Sequence, residues 1–194
     1  MAEFVSLAKG ERVSLTKFTN LKVVKVELAW TKRTTDGADF DLDVSAFLLS
    51  SEGKLAVTNG KQERNFVFYN NLESPNKAVW RGEDSLVGGK EEAWFEPGKA
   101  GLEVEEVAFI FTIHQAAERN QNFGQIKDAR VSFFNDETQE LLATFDLDED
   151  FSTQTAIHAV SFDRRPEGFR IRTVGEGSKK GLDFFVQQYG LNIK

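Results

Sequence analysis

Short stretches in which apolar and polar residues alternate are the feature that most constrains the fold of this chain. The clearest is LKVVKVELAW at residues 21–30, where the apolar side chains of Val24, Val26, Leu28 and Trp30 stand two residues apart. A period of two is typical of a β-strand that buries one face and exposes the other. The chain is therefore expected to build sheets with an inner and an outer side.

Further short apolar stretches predict more strands, and polar turns separate them. NDETQE and DRRPEG have the composition of tight connections between neighbouring strands. Because many short strands with such turns are typical of two packed sheets, we predict an all-β fold, a β-sandwich of two mainly antiparallel sheets. The further predicted strands are 44–49, 65–69, 107–114, 129–135, 141–147, 155–162 and 168–174.

One helix is predicted, at residues 182–189 near the C-terminus. Leu182, Phe185, Val186 and Tyr189 follow the spacing of one helical face, which we expect to dock on the sandwich. No low-complexity linker divides the chain, so residues 1–194 are predicted to form a single domain. Residues 82–101 have the most loop-like composition and are predicted to form a charged loop within it.

The charge and the missing cysteines exclude several classes of function. The chain of 194 residues carries a net charge of −7, and its lysines and arginines are scattered along the sequence. This argues against nucleic acid as a main partner. With no cysteine, disulfides, thiolate nucleophiles and iron–sulfur clusters are excluded. Charged residues near the start do not fit a signal peptide, so a cytoplasmic location is predicted.

The segment TTDGADFDLDVSAFLL at residues 34–49 crowds carboxylates at the beginning of a predicted strand. Alternation places Asp39, Asp41 and Asp43 on one face, while Phe40 and Leu42 face apolar packing. Two interpretations are equally open from these residues: a solvated acidic turn, or an oxygen-donor metal site. Oxygen ligands without cysteine or histidine suit Ca²⁺ better than Zn²⁺ or Cu²⁺.

Three other polar segments are candidates for the same site. Asn70 and Asn71 follow a predicted strand, either as a plain turn or as amide ligands. GEDSLVGGKEE at 82–92 is either a surface loop or a glycine-bearing acidic loop that wraps an ion. NQNFGQ at 120–125 either lines a ligand groove, with Gln121 among its amides, or caps backbone groups in a turn.

Four sequence blocks, TTDGADFDLDVSAFLL, FVFYNNLESP, IHQAAERNQNFGQI and GLDFFVQQYGLNIK, resemble those of the TerD-type tellurium-resistance and stress-protein family. The resemblance spans nearly the whole chain, with the blocks in the same order. It implies a calcium-binding β-sandwich with two neighbouring Ca²⁺ sites, no enzymatic activity, and partners among other proteins of a bacterial tellurite-resistance or stress system. Carried over residue by residue, it implies as ligands Asp39, Asp41, Asp43, Asn70, Asn71, Asp84, Glu91 and Glu92. The block GEDSLVGGKEEAWF departs from the family pattern, being offset by one residue and shortened in its glycine-rich part.

Three functions follow as hypotheses. The first is a calcium-binding stress protein that acts through ion-dependent structure and association, not catalysis. The second is a hydrolase that uses a carboxylate pair, although the chain lacks a G-x-S-x-G nucleophile elbow. The third is a calcium-dependent membrane-surface module of C2-like logic, with Phe40, Trp80 or Trp94 as inserting aromatics. Its membrane association would be indirect, through bridging ions, and the sequence carries no indication of oligomeric state.

Overall fold

Two six-stranded sheets account for the strands of the computed structural model, which describes residues 3–31, 37–83, 89–147 and 151–192. In chain order the strands are β1 Val5–Leu7, β2 Arg12–Ser14, β3 Val24–Thr31, β4 Leu42–Leu49, β5 Phe66–Val67, β6 Val79–Arg81, β7 Lys90–Phe95, β8 Glu106–Ile113, β9 Lys127–Asn135, β10 Leu141–Asp146, β11 Ala156–Arg165 and β12 Gly168–Ser178. Sheet A has the order β1-β10-β9-β3-β7-β6 and sheet B the order β2-β12-β11-β8-β4-β5. Pairing is antiparallel except between β1 and β10, which confirms the predicted sandwich.

The core lies between the sheets and is built by the alternation visible in the sequence. β3 shows strictly alternating burial over Val24–Thr31, and Val24, Val26 and Leu28 are almost fully buried. From sheet B, Phe109 and Phe111 of β8 pack into the same cluster. The apolar area removed from water by these inner faces is the main source of stability for such a sandwich.

The single α-helix of the described residues, α1 at Leu182–Gln188, packs on the outer face of sheet B. Phe185 and Val186 are buried, and Tyr189 directly after the helix is buried as well. They cover Phe47 of β4 and Ile110 of β8 in a second apolar cluster. The predicted docking stripe is therefore confirmed, and it explains why β4 and β8 are apolar on both faces.

The prediction of a loop over residues 82–101 was wrong for Lys90–Phe95. These residues form β7, which pairs with β3 on one side and β6 on the other. Glu91, Ala93 and Phe95 are buried, while Lys90 and Glu92 lie on the outer face. The charged residues made the segment resemble a loop. In this strand, however, Lys90 and Glu92 occupy outward positions, and the pairing of β7 with its neighbouring strands accommodates their charges.

The strand register defines two opposite ends of sheet B. Leu42 at the start of β4 pairs with Ile113, and Leu49 at its end pairs with Glu106. Seven residue steps along a strand span about 23 Å. Residues near Leu42 and Ile113 thus lie at one end of the sandwich, and Glu106 lies at the other. None of the helices in the described ranges has the length and hydropathy to cross a membrane.

Candidate functional site

The acidic end is the end of the sandwich where β4 begins, and it is defined here by Asp39, Asp41 and Asp43. Burial alternates along this segment: Asp39 and Asp41 are exposed and Asp43 is half-buried, whereas Phe40 and Leu42 are 5% and 1% exposed. The buried residues fix the segment on the core. As a result, the three aspartates, which alternate with these apolar residues along the segment, lie on the solvent side.

Two backbone contacts hold the acidic segment against the chain that follows β8. The His114 backbone N–H donates to the Asp41 carbonyl at 2.7 Å, and the Gln121 Nε2 donates to the Ala38 carbonyl at 2.9 Å. Gln121 is 5% exposed, and its Oε1 is buried and accepts no hydrogen bond in the described chain. A buried amide oxygen without a donor is costly, so an oxygen-seeking ligand beside it would be stabilising.

A buried arginine stands between two of the predicted ligands, and the sequence analysis did not single it out. Arg81, the last residue of β6, has a side chain that is 1% exposed. Its Nη2 lies 3.3 Å from Glu91 Oε2, and its Nη1 lies 3.7 Å from Asp43 Oδ1. The guanidinium therefore offsets part of the negative charge at this end of the fold. The only sequence signal was a charged residue closing the apolar stretch AVWR.

The predicted amide ligands, Asn70 and Asn71, form the turn after β5, and their exposure differs. Asn70 is exposed. Asn71 is 7% exposed, and its Nδ2 donates to the carbonyls of Arg64 at 3.1 Å and Phe66 at 2.5 Å. Its Oδ1 is buried with no hydrogen-bond partner among the described residues. Antiparallel pairing of β5 with β4 directs this turn toward the acidic end.

Glu91 and Glu92 do not lie together, because adjacent residues of a strand face opposite sides of the sheet. Glu91 is buried and contacts Arg81, whereas Glu92 lies on the outer face, 3.1 Å from Lys90 and 3.5 Å from Lys25. Burial raises the pKa of Glu92, but the hydrogen bond and charge of Lys90, together with Glu27 and the charge of Lys25, outweigh it, so that pKa is lowered. Asp84, the remaining predicted ligand, lies outside the described residues.

The described carboxylates differ in how they are neutralised. No ion pair within the described ranges involves Asp39 or Asp41, whereas Asp43 lies 3.7 Å from Arg81 and 4.0 Å from His114. Within the same ranges, no three histidine, aspartate or glutamate side chains come close enough together to form a metal-binding group. The structure therefore brings Asp43, Arg81 and Glu91 together and leaves Asp39 and Asp41 facing solvent beside Gln121.

A buried histidine–serine pair lies beneath α1, on the outer face of sheet B. His158 Nε2 is 2.7 Å from Ser161 Oγ, and the Ser161 hydroxyl donates to Glu106 Oε1 at 2.5 Å. Tyr189 Oη lies 3.1 Å from His158 Nδ1. Burial, reinforced by the charge of Arg172, lowers the pKa of His158 to about 3. Because Ser161 has no exposed surface, this pair joins the helix to the sheet and offers no accessible nucleophile.

The aromatics proposed for membrane insertion are not free to insert. Phe40 is buried in the core, which contradicts its role as an inserting residue. Trp80 and Trp94 are half-buried and stack on each other with ring centroids 6.0 Å apart. The Trp94 indole also donates to Asp136 at 2.8 Å. These rings cover the outer face of sheet A because β6 and β7 place them side by side.

Comparison with known proteins extends this description over almost the whole chain. Residues 3–189 match the family model described as "TerD domain". The chain is 41% identical over 193 residues to "Tellurium resistance protein TerD" of Serratia marcescens, covering 97% of this chain and 98% of the relative. It is 42% identical over 197 residues to "General stress protein 16U" of Bacillus subtilis (strain 168), again covering 97% and 98%.

A solved structure shares the fold. The crystal structure described as a homologue of telluride resistance protein (TerD), SCO6318 from Streptomyces coelicolor A3(2), superposes with a TM-score of 0.64. The match covers 86% of this chain and 95% of that one, at 20% identity. At this identity the likeness concerns the sandwich architecture alone.

Proposed function

The chain belongs to the TerD domain family, and from this premise we propose that it is a calcium-binding, non-catalytic protein of a bacterial tellurite-resistance or stress response. It acts in the cytoplasm by calcium-dependent association with other proteins of that system. The relatives' names, which refer to tellurium resistance and general stress, support the physiological role. The chemistry of the acidic end supports the ion.

The observation that carries the calcium proposal is the uncompensated charge of Asp39 and Asp41. Both carboxylates are exposed, close in sequence, and without an ion pair in the described chain. The unpaired Oε1 of Gln121 belongs to a side chain that is hydrogen-bonded to the Ala38 carbonyl, directly before them. Carboxylate and amide oxygens without sulfur or imidazole are the donor set that Ca²⁺ prefers.

The ion would act by relieving repulsion. Like charges at the spacing of Asp39 and Asp41 disfavour any arrangement that brings them together, and a divalent cation removes that penalty. Asp43, Asn70, Asn71 and Glu91 would complete the set of residues that hold one or two ions. The ordered acidic end would then present a surface that a partner protein recognises only in the calcium-loaded state.

A calorimetric titration of EDTA-stripped protein with Ca²⁺ and, separately, Mg²⁺ tests the proposal. We expect calcium to bind and to raise the melting temperature, because a ligand at a hundredfold excess over its Kd stabilises the folded state by about 2.7 kcal/mol. Equal Mg²⁺ should give a smaller rise. Heat and melting temperature that do not respond to calcium would contradict the proposal.

Site variants make the test specific. Asp39→Asn and Asp41→Asn should each weaken calcium binding by roughly tenfold or more, since each removes a charged ligand. Glu52→Gln is the matched control. It removes an exposed carboxylate in the turn after β4, which lies at the opposite end of sheet B. If the control loses as much affinity as the two aspartate variants, the ion is not held at the acidic end.

A calcium-dependent membrane-surface module remains the second candidate, with different contact residues. Phe40 is buried, but Tyr69 and Leu72 in the turn region after β5 are 59% and 43% exposed. Large apolar side chains exposed beside an ion site could contact the interfacial region of a bilayer. Sedimentation with vesicles containing phosphatidylserine, in calcium and in EGTA, separates the two. Calcium-dependent co-sedimentation that Tyr69→Ser abolishes would favour the membrane module over protein association.

A further inference from the structure

The end of sheet B opposite the acidic end carries an open groove of about 480 Å³ that is lined by arginines. Five arginines and three carboxylates line it, an excess of two positive charges on a chain whose net charge is −7. We call it the arginine groove, and its arginines are Arg12, Arg164, Arg165, Arg170 and Arg172. It lies about 23 Å along the sheet from the acidic end.

Strand pairing forces like charges together in this groove. Arg172 of β12 pairs in register with Arg12 of β2, so two arginines occupy directly opposite positions of the sheet. Like charges at such cross-strand positions are destabilising unless an anion lies between them. The hairpin of β11 and β12 adds Arg165 and Arg170 to the same end. The fold thus joins Arg12, near the start of the chain, to four arginines that lie within residues 164–172.

The carboxylates of the groove are already heavily used. Asp163 Oδ2 accepts hydrogen bonds from Arg172 Nε at 2.9 Å and Arg170 Nη2 at 3.3 Å, and Arg165 Nη2 lies 4.0 Å away. Glu106 Oε1 accepts from Arg172 Nη2 at 3.0 Å and also from a serine hydroxyl. A guanidinium has five N–H donors, so a few carboxylate oxygens cannot satisfy all of the arginines around them.

The arginines divide into structural and available groups. Arg164 donates to the carbonyls of Val104, Ala100 and Gly101, so it fixes the preceding loop. Arg165 and Arg170, by contrast, have side chains that are 45% and 25% exposed. Their guanidinium groups remain accessible to a ligand in the groove.

We propose that the arginine groove binds a phosphoryl group, either as inorganic phosphate or as the monoester of a small molecule. A phosphate monoester carries about −1.5 to −2 charges near neutral pH, which matches the excess of two positive charges. Planar guanidinium groups bind phosphate oxygens in a bidentate manner. A long polyanion such as nucleic acid fits poorly, since the rest of this acidic chain repels it.

Titration calorimetry in Hepes with EGTA, at ionic strength held constant with sodium chloride, tests this proposal. The probes are inorganic phosphate and glycerol 3-phosphate. Tighter binding of the ester identifies a small-molecule monoester as the ligand, and tighter binding of phosphate identifies the free ion. Binding of neither probe overturns the proposal. Because EGTA removes calcium, the result is independent of the calcium proposal.

Variants locate the binding. Arg165→Gln combined with Arg170→Gln should weaken phosphate binding by about tenfold or more, since two charge-assisted contacts are lost. Arg130→Gln is the control, because it removes an arginine that pairs with Asp146 on sheet A. Equal affinity of the double variant and the native chain overturns the proposal. If the double variant does not fold, Arg165→Gln alone carries the test, with an expected loss of about threefold.

Discussion

At the acidic end, Asp39 and Asp41 face solvent without an ion pair in the described residues, while in the arginine groove Asp163 accepts hydrogen bonds from two arginines. One end therefore has carboxylates without a paired cation in the described part of the chain, and the other has more guanidinium groups than carboxylates. Both excesses of charge lie at the ends of sheet B, where the strands give way to loops and turns. This sandwich therefore places unbalanced charge of opposite sign at the two ends of sheet B.

The largest effect is expected at Arg81, whose buried guanidinium contacts Glu91 and Asp43 at the acidic end. Arg81→Met should lower the free energy of unfolding by about 3–5 kcal/mol, because it removes the guanidinium that pairs with the buried Glu91 carboxylate. Urea unfolding followed by tryptophan fluorescence measures the change. Lys77→Met is the control, since it removes an exposed cation that pairs with Glu73, and it should cost less than about 1 kcal/mol.

A loss below 1 kcal/mol for Arg81→Met would mean that Glu91 does not depend on the guanidinium. The contrast between the exposed aspartates of the acidic end and its buried ion pair would disappear.

The sequence predicted the sandwich well because its strongest signals are local. The alternation in β3 and the apolar stretch of β8 indicate burial that can be recognised from the residues of each strand alone. The prediction was wrong for β7, where the outward Lys90 and Glu92 resemble loop residues until their partners on β3 are known. Glu92 pairs with Lys25, and Lys90 pairs with Glu27. A strand whose outer face is stabilised by charges from another strand has no local signature.

The site was predictable in composition but not in arrangement. Alternation places Asp39 and Asp41 on the solvent side as the sequence indicates. The role of Arg81 depends on β6 lying beside β7, and the arginine groove depends on pairing of β2 with β12 across more than 150 residues of chain. Arg12 therefore joins the four arginines of residues 164–172, because sheet register is set by long-range contacts.

Acidification should affect the arginine end through His158. Its pKa is about 3 in the folded chain against 6.5 as the reference, so the unfolded state binds a proton first as the pH falls. The stability that depends on neutral His158 is complete above pH 6.5. It is lost between pH 6.5 and 3, at roughly 1 kcal/mol per pH unit.

Urea unfolding of the native chain and of His158→Gln at pH 7, 6, 5 and 4 isolates this contribution. Subtraction isolates His158, because both proteins share the charged groups around it, Glu106, Asp163 and Arg172, and also Tyr189. The stability advantage of the native chain should shrink steadily below pH 6.5. An advantage that stays constant from pH 7 to 4 would show that His158 is not held neutral by the fold.

The smallest expected effect on stability is that of replacing Glu92, which faces the opposite side of sheet A from its neighbour Glu91. Glu92→Gln should lower the free energy of unfolding by less than about 1 kcal/mol, because Glu92 is partly exposed in its pairs with Lys90 and Lys25. It should also leave calcium affinity unchanged, since Glu92 lies on the outer face of sheet A, away from Arg81 and Glu91. Calorimetric titration of this variant beside Asp41→Asn makes the comparison. If Glu92→Gln weakens calcium binding as much as Asp41→Asn does, residues from both faces of β7 must contact the ion. That strand would then have to leave its pairing with β3 on loading, and the acidic end would be a rearranging structure instead of a fixed edge of the sandwich.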